Sequence, residues 1–303
     1  MGGALAVGLV GTGVLVAIAF AECPRTEHLA RETPPRTSYM RRAIADGRLD
    51  EGYALQWTAA DALPARVLCA VMMAEDPLFF RHQGFNYSLM LTAVVARLVG
   101  DTVGSSTLSQ QLARNLFLGP EQTVPRKLRE AVIAHRLEKT LGKRRILELY
   151  VNLVEWGPGV WGITHASQHY WRKRPDELTV FEAVFLASLL PAPSRPLAGA
   201  NLERSAVSQR IVLDVLYSAT VIDADEWRLS LQRLEATYRA LQAGLPVDKA
   251  LSLPLAEALA LPAGRALPVG ALSPREPRPL LSEGRLLDEQ CGLAHAEAHF
   301  GPF

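Results

Sequence analysis

The chain has 303 residues, 49% of them hydrophobic and 21% charged, a balance that suits a globular protein and excludes a disordered one. A formal net charge of +1 exerts no global pull on nucleic acid or anionic lipid, so anion binding must come from local clusters of Arg and Lys. Three cysteines, Cys23, Cys69 and Cys291, lie far apart without CxxC spacing, so neither a disulfide framework nor a zinc site can be read from them, and Cys69 is expected to fill a core.

The first predicted element is Ala4 to Ala21, eighteen residues without a charge and just long enough to cross a bilayer as a helix. Ala19-Phe20-Ala21 also fits a signal-peptidase site, but the basic n-region of a signal peptide is missing, so a retained anchor is preferred. Arg25, Arg31, Arg36, Arg41 and Arg42 all follow the span, so orientation must come from function. Residues 22–60, with Pro24, Pro34, Pro35 and many charges, read as a membrane-proximal connector.

Leu63 to Met73 is apolar with helical period, and Pro77 closes it because the residue before a proline is pushed out of helical geometry. Glu75 therefore belongs near a helix C-terminus. Residues 87–99 are apolar on nearly every side and read as a buried core helix or a segment dipping into lipid. Thr107-Leu108-Ser109-Gln110 is a capping-box pattern that opens a helix. Thr123 and Pro125 start the next, which runs through Arg136 and stops at Gly142. Further helices are expected over Arg145–Val154, Leu178–Leu189 and Ala206–Leu241. No strands with period two and no internal repeats are found, so the region reads as all-helical. Residues 246–303, with eight prolines, read as a loosely ordered tail.

Four segments carry the chemistry: Glu75-Asp76-Pro77-Leu78-Phe79-Phe80-Arg81-His82-Gln83-Gly84; Gly104-Ser105-Ser106-Thr107 continuing to Gln110-Gln111-Leu112-Ala113-Arg114-Asn115; Arg126-Lys127-Leu128-Arg129-Glu130; and Arg145 to Asn152. A carboxylate at a helix C-terminus feels the negative end of the dipole, and apolar neighbours such as Met72, Phe79 and Phe80 would raise the pKa of Glu75, which suits a general acid or base. Standing alone, a Glu-Asp pair is more often a surface feature. Ser106 and Thr107 at a helix start present free N–H groups to an anion, with Gln110, Gln111 and Arg114 on the first turns beyond; alone, this is an ordinary capped helix. Arg126 and Lys127 lie four and three residues before Glu130, so the helix can hold that carboxylate ionised in a cationic cluster; alone, this is a solvated helix face. In the fourth segment Ile146, Leu147, Tyr150, Val151 and Val154 have core spacing, and Glu148 and Asn152 read as structural.

In order and spacing these four segments resemble the motifs of the glycosyltransferase family 51 domain. Thr37-Ser38-Tyr39-Met40 and Glu155-Trp156-Gly157-Pro158-Gly159-Val160-Trp161-Gly162 resemble its monofunctional biosynthetic peptidoglycan transglycosylase branch, and the likeness spans residues 37–220. It implies an all-α, lysozyme-like helical domain over residues 61–220, held by an N-terminal transmembrane helix over residues 1–21 and followed by a helical extension and Pro-rich tail over residues 221–303. The implied reaction polymerises lipid II into glycan strands at the outer face of the cytoplasmic membrane and releases undecaprenyl diphosphate. Glu75 would take the proton from the acceptor 4-hydroxyl, and Glu130 would stabilise the transition state directly or through a cation. Asp76, His82, Ser106, Thr107, Gln110, Gln111, Arg114, Asn115, Arg126, Lys127 and Arg129 would bind substrate and its diphosphate. A divalent cation, Mg2+ or Mn2+, is expected by resemblance alone, no organic cofactor is expected, and no metal ligand set is assigned. Expected partners are lipid II, the growing glycan-lipid chain, the membrane and other wall-building proteins, with no nucleic acid.

Three positions depart from the family pattern: Asn86 where Asp is usual, Arg114 where Lys is usual and Gln122 where Arg is common. They make a weakened relative, binding lipid II as a scaffold, the rival reading, with a lytic enzyme third. No Ser-x-x-Lys acylation motif follows residue 220, so peptide cross-linking is expected elsewhere. Gly157-x-Gly159-x-x-Gly162 matches a dinucleotide fingerprint by letters but is read as following a helix, not a strand, and is set aside. The pairs His165/His169 and His295/His299 lack the Glu of a zinc protease motif and read as polar histidines with ordinary partners.

Overall fold

A computed structural model describes residues 23–85, 106–262 and 264. The expected span Ala4–Ala21, the apolar stretch 87–99, Asn86, Cys291 and His295/His299 lie outside these residues. Among the described residues no helix is long and apolar enough to cross a membrane. The protein is mostly helical, with helices α1 (Ser38–Ala45), α2 (Ala65–Glu75), α3 (Leu108–Phe117), α4 (Val124–Leu153), α5 (Ile163–Trp171), α6 (Val180–Leu189), α7 (Gly199–Ser218), α8 (Ala224–Gln242), α9 (Val247–Ser252) and α10 (Leu255–Ala260). Short 3-10 turns cover Glu27–Ala30, Ala60–Ala62, Phe79–Arg81 and Pro175–Glu177.

The chain forms two compact units, whose described residues are 23–54, 78–85 and 106–153 in the first and 55–77, 154–262 and 264 in the second. In the first unit α3 lies along α4. Leu108, Leu112 and Ala113 on α3, and Ile133, Ala134 and Leu137 on α4, are buried to 1% exposure or less. Each large aliphatic side chain buried this way contributes roughly 1.5–3 kcal/mol. Gly142, with φ 70 and ψ 162, breaks α4 into two helical stretches. That region of backbone space is open to glycine and closed to other residues, so the helix expected to stop at Gly142 does break there, and a second one restarts at once.

Of the stretch read as a connector, residues 23–54 belong to the first unit. Arg136 Nη1 donates to Cys23 O at 3.1 Å, and Arg145 donates to Leu29 O and Glu32 O, both at 2.9 Å. Leu29, Met40 and Ala43 are buried, so this segment forms part of the apolar interior despite its prolines and charges.

In the second unit α6 is buried from Val180 to Leu189, and α2, α7 and α8 pack around it. A helix that is apolar on every side needs such a cover. Cys69, on α2, is fully buried as expected. Several readings are corrected here. The single helix expected over Ala206–Leu241 is two, because Thr220 turns with φ 59 and Asp223 with Glu226 forms a capping box that opens α8. The expected absence of strands also fails: β1 (Glu155–Gly157) and β2 (Val160–Trp161) form an antiparallel hairpin, too short to show alternation. The Gly157/Gly159/Gly162 triplet begins in β1, just after α4, and spans an antiparallel hairpin, which lacks the parallel βαβ unit that a dinucleotide site requires. The first residues of the expected tail are also ordered, as α9 and α10.

Candidate functional site

The expected site residues divide between the two units: Glu75 and Asp76 belong to the second, the others to the first. Glu75 is the last residue of α2 and half-buried, and Asp76 caps the helix, its N–H donating to Met72 O at 2.8 Å. Asp76 is 1% exposed. Thus Glu75 does stand at a helix C-terminus, as its position before Pro77 requires.

In the first unit Thr107 caps α3. Its hydroxyl accepts the Gln110 N–H at 3.2 Å and donates to Gly84 O at 2.8 Å, while Gln110 Oε1 accepts the Thr107 N–H at 2.9 Å. The capping box foreseen from the residue pattern is therefore complete. It also engages the Thr107 and Gln110 side chains, both of them buried, in holding the helix start. Gln111 Oε1 accepts the Tyr150 hydroxyl at 2.9 Å, and Asn115, 8% exposed, donates to Gln111 O at 3.0 Å. Arg114 is half-buried on the same helix.

The charged core of the site is Glu130, with a relative exposure of 0%. Arg126 Nη1 lies 2.6 Å from Glu130 Oε2, and Lys127 Nζ donates to Glu130 Oε1. Lys127 Nζ also donates to Ser106 Oγ at 2.9 Å, tying the first turn of α4 to the residue before the α3 cap. Spacing of three and four residues brings both cations over one carboxylate, and burial strengthens the attraction. Arg126 Nε is buried with no acceptor among the described residues, a donor that Glu130 does not use. Burial raises the pKa of the Cys23 thiol, against the pull of the Arg136 and Arg129 charges.

One residue that the reading of individual motifs did not single out lies within reach of this group. Burial raises the pKa of Tyr39, the charges of Arg114 and Arg126 lower it, and those of Glu130 and Glu121 raise it. The signal was Thr37, whose hydroxyl caps α1 by accepting the Met40 N–H at 3.1 Å and so fixes Tyr39 in the first turn.

Both Glu130 oxygens are engaged by cationic side chains, so this carboxylate does not fit a divalent cation. Among the described residues no group of three His, Cys, Asp or Glu side chains is placed to hold a metal. His165 Nδ1 lies 3.2 Å from Trp161 O, and His169 packs edge-on against Tyr170 at 4.7 Å. Asn152 donates to Glu148 O at 2.8 Å and Glu148 pairs with Arg145, which is the structural use expected of both. Gln122, one of the departures from the family pattern, is exposed.

Comparison with known proteins places the chain among named relatives. A biosynthetic peptidoglycan transglycosylase of Shewanella amazonensis is 44% identical over 139 residues, 46% of this chain and 57% of that protein. One of Methylobacillus flagellatus is 38% identical over 165 residues, 53% of this chain and 72% of that protein. Penicillin-binding protein 1A of Neisseria gonorrhoeae is 34% identical over 227 residues, 73% of this chain but 28% of that longer protein. The family described as Transglycosylase matches residues 44–217, more than half of the chain and all four chemical segments, and the protein belongs to that family.

Proposed function

We propose that this protein is a peptidoglycan glycosyltransferase that polymerises lipid II into glycan strands at the outer face of the cytoplasmic membrane. The observation that carries this reading is the buried Glu130 held between Arg126 and Lys127, with Lys127 also reaching Ser106 beside the α3 N-terminus. A helix start and two cations on one carboxylate form a receptor for a diphosphate, the leaving group of a lipid-diphosphate sugar. The Nε of Arg126, which has no acceptor among the described residues, is a further donor for such an anion.

In the proposed reaction Glu75 takes the proton of the acceptor 4-hydroxyl as that oxygen bonds to the anomeric carbon of the growing chain. The bond from that carbon to the carrier diphosphate breaks, and the diphosphate leaves as an anion. Arg114, Arg126 and Lys127 neutralise it, and Glu130 orders the two cations on α4. Asp76 and His82 support the site without taking part in bond making. The apolar stretch Ala4–Ala21 anchors the protein beside its lipid-linked substrates. No step is routed through a metal, because the Glu130 carboxylate is already neutralised. The weakened-scaffold reading draws no support from the comparisons.

Polymerisation of lipid II by the purified protein, with and without Glu75→Gln, tests the proposal. Glycan polymer from the wild type and a loss of at least a hundredfold in the variant are expected. Equal activity of the two forms would remove Glu75 from the mechanism.

A further inference from the structure

The loop that carries His82 is fastened in part by Glu138 and Lys143, which lie outside every motif assigned above. The Lys143 ammonium sits over the Phe79 ring, 4.3 Å from its centroid, and Lys143 Nζ donates to His82 O. Thr107 Oγ1 holds the far end through Gly84 O at 2.8 Å. Gly84, buried with φ 86, lies against α4 so closely that a Cβ there would stand 3.4 Å from the Ala134 backbone. Phe79 in turn meets the His82 ring edge-on at 6.2 Å.

Lys143 is itself held. Its Nζ lies 2.7 Å from Glu138 Oε1, whose side chain is only 5% exposed, and the Ser109 hydroxyl donates to the same oxygen. Glu138 and Lys143 are five residues apart, which on an unbroken helix would place them about 140° apart around the axis. The break at Gly142 brings them together. A buried ion pair is costly to maintain unless each charge is well satisfied, and here the lysine is satisfied by Glu138, a carbonyl and a ring face.

We propose that Ser109, Glu138 and Lys143 are positioning residues that hold the Phe79–Gly84 loop, and His82 with it, in one conformation for substrate binding. The consequence for catalysis rests on the glycosyltransferase reading; the restraint on the loop does not.

The test uses the full chain carrying Lys143→Met, Lys143→Arg or Ser109→Ala, with backbone hydrogen exchange and lipid II polymerisation as readouts. Lys143→Met is expected to speed exchange at Phe79–Gly84 by at least tenfold while α6 exchanges as in the wild type, and to raise KM for lipid II about tenfold with a smaller change in kcat. Lys143→Arg should recover most of both effects, and Ser109→Ala, which leaves the ion pair standing, should shift exchange in the same direction if Lys143→Met does not fold. In a His82→Ala background Lys143→Met should add nothing, because both act through one loop. Unchanged exchange at Phe79–Gly84 overturns the proposal, and additive kinetic effects overturn its link to His82. If the wild type makes no polymer the functional reading fails, and the exchange result alone decides whether the loop is held.

Discussion

Arg126 Nη1 lies 2.6 Å from Oε2 of Glu130, a carboxylate with no exposed surface. Lys127 occupies the other oxygen, so one buried anion holds two cations that would otherwise repel each other. The first prediction follows from that imbalance. Glu130→Gln keeps the shape but leaves two cations facing a neutral amide, and breaking a buried pair from one side costs about 3–5 kcal/mol. Urea unfolding should show a loss of this order together with loss of polymerisation. An unchanged unfolding midpoint would mean that the pair does not support the fold.

Thr107 joins two elements with one hydroxyl, capping α3 and holding Gly84 O. Thr107→Ala should therefore cost more than the roughly 1 kcal/mol of a lost N-cap, because a buried carbonyl also loses its donor. A total of about 2 kcal/mol is expected from equilibrium unfolding. Thr107→Ser, which keeps the hydroxyl, should recover most of it; if it recovers none, the hydroxyl is not the cause.

His169 supplies a pH dependence. Partial burial lowers its pKa from 6.5, Arg172 lowers it further and Asp248 opposes them. The unfolded chain therefore takes up the proton before the folded one does, so stability is full above pH 6.5 and declines as pH falls below it. Thermal unfolding between pH 7 and pH 5 should show a smaller drop in Tm for His169→Gln than for the wild type. An equal drop in both would assign the acid sensitivity to other groups.

The local features of the site were legible because they depend on neighbours a few residues away. Pro77 ends α2 and leaves Glu75 at its last position, and Thr107 with Gln110 closes the α3 cap. Gly142 breaks α4, and spacing of three and four residues puts Lys127 and Arg126 on Glu130. The break between α7 and α8 had a local signal too, the Asp223-to-Glu226 capping box, but a continuous apolar pattern concealed it. The hairpin at Glu155–Trp161 was hidden because strands of three and two residues are too short to show a period.

What the sequence by itself determined is where helices begin and end, which carboxylates sit at or beside them, and through long matching motifs the family. Only the tertiary structure decided that Glu130 is fully buried, that the charges of Arg114 and Arg126 act on Tyr39, and that Lys143 reaches back to Phe79 and His82. Capping and helix spacing act within one or two turns and leave a pattern in the chain. Burial and the direction of a charge depend on which distant segments pack together, and no local pattern records them.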